Sequence, residues 1–450
     1  MSTFPIPPNN TRIGFHYYPD TFHYRDSDLQ TWLPELRALG ASWLVLQAPA
    51  SRAIPEGFLM GLLSHGIEPV LHFKLPLHPP PAVKNLAFLF ETYARWGVHY
   101  AILFDQPNAQ ASWPPAAWAQ DDLVERFLDG FIPLAESACL SGLTPVFSPL
   151  APGGDYWDTS FLRVALQAIE RRGHYHLLDR LALAAYADAS DRPLDWGCGG
   201  PERWPGSRPY ATPPDGQDQR GFRIFDWYIA ITQAVIGEAR PILLLGLRSW
   251  NPPGSKATIG ESAHLRRTLA MAKGLAAGSL PSSFAQAKGM PDDPLEPLPP
   301  EVLAGHFWLL AATASSAHAK SAWYEGDGAP TPEVRSLRQL AACLTRPDAE
   351  GLGSNQLSSK SPSIQHYLLL PALDWAVADW YFQAVRPFIK RHMPTIGFSL
   401  AEAAQAARVT VVGGAEFFPD EALSSLRASG CIVERINGDG TSIATQLADR

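Results

Sequence analysis

The chain has 450 residues with a net charge of −8, and 46% of its residues are hydrophobic and 18% charged. This composition suits a large globular core in two or three domains, and the scattered Lys and Arg residues lack the positive patch of a nucleic-acid-binding protein. We therefore expect no nucleic-acid partner.

Short apolar runs alternate with longer amphipathic runs over the first 345 residues, and this alternation predicts βα units around a parallel sheet. The predicted strands are 12–17, 43–47, 69–74, 100–105, 144–148, 181–186, 241–245 and 319–324. The predicted helices are 27–39, 55–65, 82–96, 120–141, 160–172, one beginning near 221, 262–275 with 301–316, and 332–344. Eight units indicate a (β/α)₈ barrel of the TIM type with loop insertions.

An open doubly wound sheet is the alternative architecture. Against it, no GxGxxG motif follows the first strand and the sequence contains no P-loop. The four cysteines are far apart and have no Cys/His ligand spacing, so neither a disulfide framework nor structural zinc is predicted. We expect no cofactor and no metal.

The composition changes after the barrel. Residues 348–363 are rich in Gly, Ser, Asn and Lys and predict a linker, and the rest of 348–395 is expected to be a helical or mixed segment that packs on the barrel. Residues 396–450 predict a small α/β module with helices at 399–406 and 419–429 and strands at 409–412 and 431–436. The predicted domains are thus 1–347, 348–395 and 396–450.

The N-terminal residues 1–12 contain no apolar stretch of the signal-peptide kind, and no run of 18 uncharged apolar residues predicts a transmembrane segment. We expect a cytoplasmic location by default, with the cell surface as an alternative.

Polar side chains follow the predicted strands, at the end where barrels of this kind carry their functional residues. The candidates at these positions are His16, Tyr17, Gln47, His72, Lys74, Asp105, Gln106, Asn108, Tyr186, Asp188, Arg248, Trp250, Trp323 and Glu325. Each of them alone could be an ordinary hydrogen-bonded rim residue, but together they predict a binding mouth.

Aromatic residues are the second signal. The chain has 14 Trp, and many of them stand beside Pro, Gly or polar residues. Flat aromatic faces next to polar groups suit sugar rings, so we expect Trp113, Trp157, Trp250 and Trp323 to be stacking platforms, at least two of them partly exposed. The plain alternative is that they fill loop cores.

Three segments resemble the large clan of retaining glycoside hydrolases with barrel folds. Residues 32–43 are similar to the clan's first helix and second strand, and 65–71 to the entry of its third strand. The segment 104–108, Phe-Asp-Gln-Pro-Asn, falls where the clan carries Asn-Glu-Pro-Asn after strand four. The resemblance covers about 330 residues and implies a carbohydrate ligand.

The sequence departs from the clan at both catalytic positions. Gln106 stands at the acid/base position, and Gly246 or a neighbouring leucine stands where the nucleophile should end strand seven. Retaining hydrolysis needs two carboxyl groups about 5–5.5 Å apart, and an amide cannot give up a proton near neutral pH. We also expect Asp105 to turn away from the mouth, because it stands one residue before the acid position.

The C-terminal module has a second resemblance. The segments 411–414, 426–430, 433–436 and 438–441 look like one unit of the bacterial type-2 cell-wall-binding repeat, although the Asp-Arg-Tyr usual before the Thr is missing. This implies a cell-wall polymer as a possible partner, and a generic βα appendage is the alternative.

Three functional hypotheses follow. The first is a carbohydrate-binding barrel, a glycoside-hydrolase-like pseudoenzyme that keeps its cleft. The second is an active glycoside hydrolase with relocated carboxylates drawn from Asp105, Asp188 and Glu325. The third is a structural or interaction barrel.

Overall fold

The protein is described here by a computed structural model. The described residues are 4–250, 260–276, 298–324, 328–344, 364–371, 385–392 and 394–448 without 398, 405, 416, 429–430 and 439. The chain divides into two compact units, Met1–Glu350 and Gly351–Arg450.

Eight parallel strands close into a barrel in chain order, with the last strand paired to the first. They are β1 Ile13–His16, β2 Trp43–Gln47, β3 Glu68–Phe73, β4 Tyr100–Leu103, β5 Thr144–Leu150, β6 Ala182–Tyr186, β7 Ile242–Leu247 and β8 Val302–Phe307. This arrangement confirms the predicted TIM-type barrel and excludes the open sheet.

Helices connect successive strands. They are α1 Asp26–Ala38, α2 Glu56–Leu63, α3 Ala87–Arg95, α4 Pro115–Trp118, α5 Leu123–Ser141, α6 Asp158–Arg171, α7 Tyr175–Arg180, α8 Gly200–Arg203, α9 Ile224–Ile236, α10 Glu261–Ala276 and α11 Pro332–Leu344. Short 3₁₀ turns lie at Val83–Asn85, Gln110–Ser112 and Ala319–Ser321. Helix α5, for example, ends where Gly142 takes a left-handed φ of 99°, which a glycine adopts without a steric penalty.

The barrel has two hydrophobic layers. The interior is filled by side chains such as Trp43, Val45, Tyr100 and Leu245, and the alternate residues of the same strands pack outward against the helices. Because parallel strands are covered on both faces, nearly every strand residue is buried and most are apolar, as the sequence runs require. The alternation fixes which side chains face inward along the regular part of each strand.

The expected eighth strand is wrong. Val302–Phe307, placed by the sequence in a helix at 301–316, is the strand that closes the barrel between β7 and β1. The segment expected to be the strand, 319–324, contains a 3₁₀ turn, and its Tyr324 forms only isolated bridges, to Ala311 and to Pro330. A short apolar run does not by itself distinguish helix from strand, whereas closure requires two paired neighbours.

The second unit is a four-stranded parallel sheet in the order β10-β9-β11-β12. Its strands are β9 Ile364–Leu369, β10 Thr395–Gly397, β11 Ala406–Val412 and β12 Ile432–Ile436. Its helices are α12 at 385–392, α13 Leu400–Ala403, α14 Asp420–Ala428 and α15 Gly440–Ala448.

Residues 348–395 were expected to be a linker followed by a helical or mixed segment that packs on the barrel, and that packing stays a prediction. The described part of this segment contains α12 and β9, and β9 pairs on both sides within the sheet of the second unit. The linker residues 348–363 lie outside the described residues. In the described parts of both units, no helix combines the length and the apolar character needed to cross a membrane.

Candidate functional site

Charged and polar side chains from several strands meet at the C-terminal end of the barrel. Lys74, just after β3, forms an ion pair with Asp105, just after β4, with 3.5 Å between Lys74 Nζ and Asp105 Oδ2. The hydroxyl of Tyr186, at the end of β6, donates a hydrogen bond of 2.8 Å to Asp105 Oδ1. The carboxylate therefore joins three strands across the mouth.

Tyr186 remains a neutral phenol in this contact. Burial raises its pKa well above the ordinary value, and the nearby Asp105 raises it further because a phenolate would be repelled. Tyr186 is thus a fixed hydrogen-bond donor to the carboxylate.

Asp105 faces the mouth because the backbone on both sides of it is left-handed. Phe104 has φ of 64° and Gln106 has φ of 47°, which cost a non-glycine residue roughly 1–2 kcal/mol each. Phe104 N–H donates to Phe73 O, and Gln106 N–H donates to Pro149 O, so hydrogen bonds hold the strained segment in place. The expectation that Asp105 turns away is wrong, because the positive φ of Phe104 ends the regular strand alternation.

Two histidines form the floor of the mouth, a term used here for His16 and His72. His16 Nε2 accepts a hydrogen bond of 3.1 Å from the backbone N–H of Gly246. His72 Nε2 donates one of 3.0 Å to the carbonyl of Phe104. Both side chains are almost completely buried.

The pKa of each floor histidine is lowered. For His16 the largest cause is burial, followed by the nearby His306, His72 and Lys74. For His72 it is again burial, which outweighs the opposite effect of Asp105. Both imidazoles are therefore neutral at neutral pH.

A third buried histidine, His306 of β8, supports the floor. Its Nδ1 donates to Leu244 O, and its ring lies where a Cβ on Gly14 would be, 2.6 Å from Cδ2. Gly14 and His306 are paired residues of β1 and β8, so the missing side chain at 14 makes room for the ring. Burial lowers the pKa of His306 to about 4.

Asp188, Arg248 and Trp250 form a rim cluster beyond β6 and β7. Asp188 Oδ2 accepts hydrogen bonds from Arg248 Nε at 2.6 Å and Trp250 Nε1 at 2.8 Å, and Oδ1 accepts from the N–H of Ser190 at 2.7 Å. The Arg248 guanidinium lies 4.3 Å from the centre of the Trp250 ring. Trp250 is the one of the four expected platforms that is only partly buried.

Two of the candidates after β4 have different surroundings. Asn108 is completely buried and joins two loops: Nδ2 donates to Ala151 O and Tyr156 O, and Oδ1 accepts from Ala151 N–H. We expected it to contact ligand, but all its polar atoms are already bonded to backbone. Gln106 is half-buried, and a ligand-facing role for its amide stays a prediction.

Several other candidates are core residues. Tyr17 is fully buried against Tyr24 and Phe58 on the outer face of β1, because it alternates with the inward-facing His16. Three of the four expected platforms are also buried, so the expectation of two partly exposed ones is wrong. Trp113, Trp157 and Trp323 are 5–7% exposed. Trp113 donates to Pro107 O, and Trp323 packs on Phe15, as the plain alternative of loop and core filling requires.

Sequence reasoning missed Trp308. It directly follows β8, is half-buried, and meets the His16 ring edge-on with 5.0 Å between ring centres. The apolar run 302–308 could have indicated a strand that ends next to Trp308, but we assigned this run to a helix.

Gln47 faces inward by alternation with Val45, and it is next to His72 in the register of β2 and β3. Glu325 lies outside the described residues.

Within the described residues, no group of His, Cys, Asp and Glu is placed to hold a metal ion. The described groups at the mouth offer hydrogen bonds, two ion pairs and ring contacts.

Comparison with known proteins shows a likeness of fold alone. No protein family and no curated protein matches the chain in sequence. Xylanase 10B from Thermotoga maritima matches 73% of this chain and 94% of its own, with 10% identity and a TM-score of 0.41. An endo-beta-1,3-glucanase from Sorangium cellulosum matches 71% and 97%, with 11% identity and a TM-score of 0.36. An endo-beta-1,4-glucanase from Xanthomonas axonopodis pv. citri matches 73% and 98%, with 12% identity and a TM-score of 0.36.

Proposed function

We propose that the barrel is a carbohydrate-binding domain that holds an oligosaccharide in its mouth without cleaving it. The mouth combines polar groups, as in His16, His72 and Lys74, with two half-buried indole rings, Trp250 and Trp308. Sugars present both an apolar ring face and hydroxyl edges, so this combination suits them.

The observation that carries the absence of cleavage is the state of the carboxylates of Asp105 and Asp188. Asp105 has Tyr186 on one oxygen and Lys74 on the other. Asp188 has the N–H of Ser190 on one oxygen, and Arg248 and Trp250 on the other. Glycoside hydrolysis needs one carboxyl that protonates the leaving oxygen and a second that attacks or activates water. In this arrangement both oxygens of each carboxylate already have a donor from the chain itself, and this supports binding without cleavage.

A relocated active site is the second candidate. The inward orientation of Asp105 favours it, since a carboxylate at the end of β4 can then reach a bound ligand. Asp105 with Asp188 would form an inverting pair at a separation of about 6.5–9.5 Å, and Glu325 is a further partner in the sequence. The third candidate, an interaction barrel, predicts no sugar binding.

Calorimetric titration with cellohexaose, xylohexaose and laminarihexaose tests the proposal. We expect one of these sugars to bind and to be recovered uncut. Trp250→Ala and Trp308→Ala should each weaken its binding about tenfold, the loss of roughly 1.4 kcal/mol of ring contact. Trp96→Ala is the matched control, because Trp96 follows α3 at the opposite end of the barrel.

The outcomes separate the candidates. Cleavage of a sugar by pure protein, abolished by Asp105→Ala or Asp188→Ala, would establish a relocated active site instead. Failure of the whole panel to bind would favour the interaction barrel. The variant Gln106→Glu should stay inactive on aryl glycosides, because a proton donor without a nucleophile does not complete the reaction.

For the second unit we propose attachment to a cell-wall polymer, on the strength of the sequence resemblance at 411–414 and 433–441. In this unit Val412 ends β11, Gly413 follows with φ of 133°, and α14 comes next. Co-sedimentation of the full chain with purified peptidoglycan should exceed that of a chain ending at Glu350. Equal sedimentation of the two would remove the polymer as a partner of this unit.

A further inference from the structure

The second unit contains a cavity beside the amino half of its sheet. The cavity has a volume of about 280 Å³ and is open to solvent. Ligand pockets usually measure about 300–1,000 Å³, so this one suits a small molecule. Its lining comes from three strands and one helix, namely His366 of β9, Arg408 and Thr410 of β11, Glu434 of β12, and Phe388 and His392 of α12.

The cavity follows from a change of residue type along one face of the sheet. Towards the carboxyl end of the strands, this face carries apolar residues that pack against α12 and α15. Nearer the amino end, the same face carries polar residues, because side chains two positions apart in a strand point to the same side. Arg408 is paired with His366 in the register of the strands, and Thr410 with Glu434. Polar groups of three strands therefore meet where the apolar core ends.

His366 and Thr410 together provide a hydrogen-bond donor. His366 Nε2 lies 2.9 Å from Thr410 Oγ1, and the imidazole and the hydroxyl each carry one hydrogen when the ring is neutral. Their mutual bond uses one of these hydrogens, whichever group donates. The other hydrogen, on His366 Nδ1 or on Thr410 Oγ1, stays available for an acceptor.

Arg408 makes one side of the cavity positive. Its side chain is exposed, its guanidinium stays protonated, and it forms no ion pair within the described part of the chain. The pKa of His366 is lowered, first by burial and then by repulsion from Arg408 and His392. The potential at the His366 ring is therefore positive, although Glu434 also lines the cavity.

A metal ion is the obvious alternative occupant of a cavity with two imidazoles and one carboxylate. Among the described residues, however, these groups are not placed together as a metal site requires. The charge of Arg408 would also repel a cation. An anion is the better match.

We propose that this cavity binds a small oxyanion, a carboxylate or a phosphate, on the Arg408 guanidinium and the donor of the His366–Thr410 pair. A guanidinium suits both groups, because its N–H donors match two oxygens of a carboxylate or of a phosphate. The cavity belongs to the second unit alone, so its ligand does not depend on the functions proposed above.

Histidine NMR of the full chain tests the site. Inorganic phosphate and malonate are titrated separately at pH 7 into protein with ¹³C-labelled histidine, and sodium chloride at matched ionic strength is the reference. The His366 signal, assigned with His366→Gln, should shift saturably with at least one anion, while the signal of His65, just after α2 in the barrel unit, stays in place. The anion that saturates the shift at the lower concentration distinguishes a phosphate ligand from a carboxylate.

Three substitutions locate the anion. Arg408→Gln should weaken binding at least about tenfold, because it removes the charge-assisted hydrogen bonds. Glu434→Gln should strengthen binding about threefold, because it removes a negative charge from the lining. Arg427→Gln is the matched control: Arg427 is exposed on α14, which packs on the other face of the sheet, and its loss changes the net charge equally. This control should leave the affinity unchanged.

Equal weakening by Arg408→Gln and Arg427→Gln would show general attraction of anions and refute a built site. A shift that does not saturate, or that sodium chloride reproduces, would refute it as well. If Arg408→Gln does not fold, Glu434→Gln decides, because unchanged or weaker binding in that variant contradicts an anion in the cavity.

Discussion

Replacing Gly246 by Ala tests how tightly the mouth is built at the end of β7. Gly246 has φ of 65°, and its N–H holds His16. A Cβ built at this position lies 3.2 Å from Cδ1 of Tyr186, the residue that binds Asp105. The variant therefore perturbs three of the mouth residues at once.

The expected loss of stability has two parts. A left-handed conformation costs a residue with a Cβ about 1–2 kcal/mol. The close contact with the buried Tyr186 ring adds about 1–2 kcal/mol, in the range of overpacked cores. The free energy of unfolding should fall by roughly 2–4 kcal/mol.

The control isolates the second part. Gly66, after α2, has a similar φ of 72°, and a Cβ there meets no atom within 4 Å. In urea unfolding followed by tryptophan fluorescence, Gly66→Ala should lose only the backbone cost, about 1–2 kcal/mol. The difference between the two variants measures the contact with Tyr186.

Equal losses in the two variants would refute this reasoning, because they would mean that Tyr186 moves aside without cost. The result also bears on attempts to restore a nucleophile. A combined Gln106→Glu and Gly246→Glu variant could gain only a trace of hydrolysis, and the contact at Tyr186 opposes even that.

Three further predictions concern stability. Gly14→Ala should destabilise the barrel by about 1–3 kcal/mol in the same urea assay, because its Cβ would lie 2.6 Å from the ring of His306; wild-type stability would show that the ring is not fixed. Asn108→Ala should lower the free energy of unfolding by about 2–3 kcal/mol, because loop backbone groups would be left unpaired, and sugar affinity should stay unchanged. A selective loss of affinity would instead assign Asn108 to the binding site. Burial alone would raise the pKa of Asp218, but hydrogen bonds from Arg220 and other groups lower it to about 2. Its contribution is therefore complete above about pH 4 and is lost as the pH falls towards 2; Asp218→Asn should flatten that slope in acid-unfolding curves, and an unchanged slope would exclude this carboxylate.

The barrel was predictable because each strand is buried on both faces. That requirement produces short apolar runs in the sequence. Because amphipathic helices separate these runs, the strands are predicted to pair in parallel. The prediction failed at β8, because the compositions of Val302–Phe307 and of the segment 319–324 are both compatible with a strand. Only pairing with β1 and β7 decides between them, and pairing is not a local property.

The site was partly predictable for a related reason. Strand-end positions in a barrel converge at one mouth, so His16, His72, Lys74 and Tyr186 could be named from the sequence. The inward orientation of Asp105 could not be predicted from the sequence, because the left-handed φ of Phe104 reverses the strand alternation there.

The sequence by itself thus determined the barrel, because strands that are buried on both faces produce short apolar runs, and the type and spacing of these residues can be read along the chain. Burial of the tryptophans and the proton positions of the two floor histidines were decided by the tertiary structure. Trp113 is enclosed by its own loop, and His72 takes its tautomer from a carbonyl 32 residues away. A side chain's partners depend on which strands and loops converge, and convergence is set by the closed barrel rather than by neighbours along the chain.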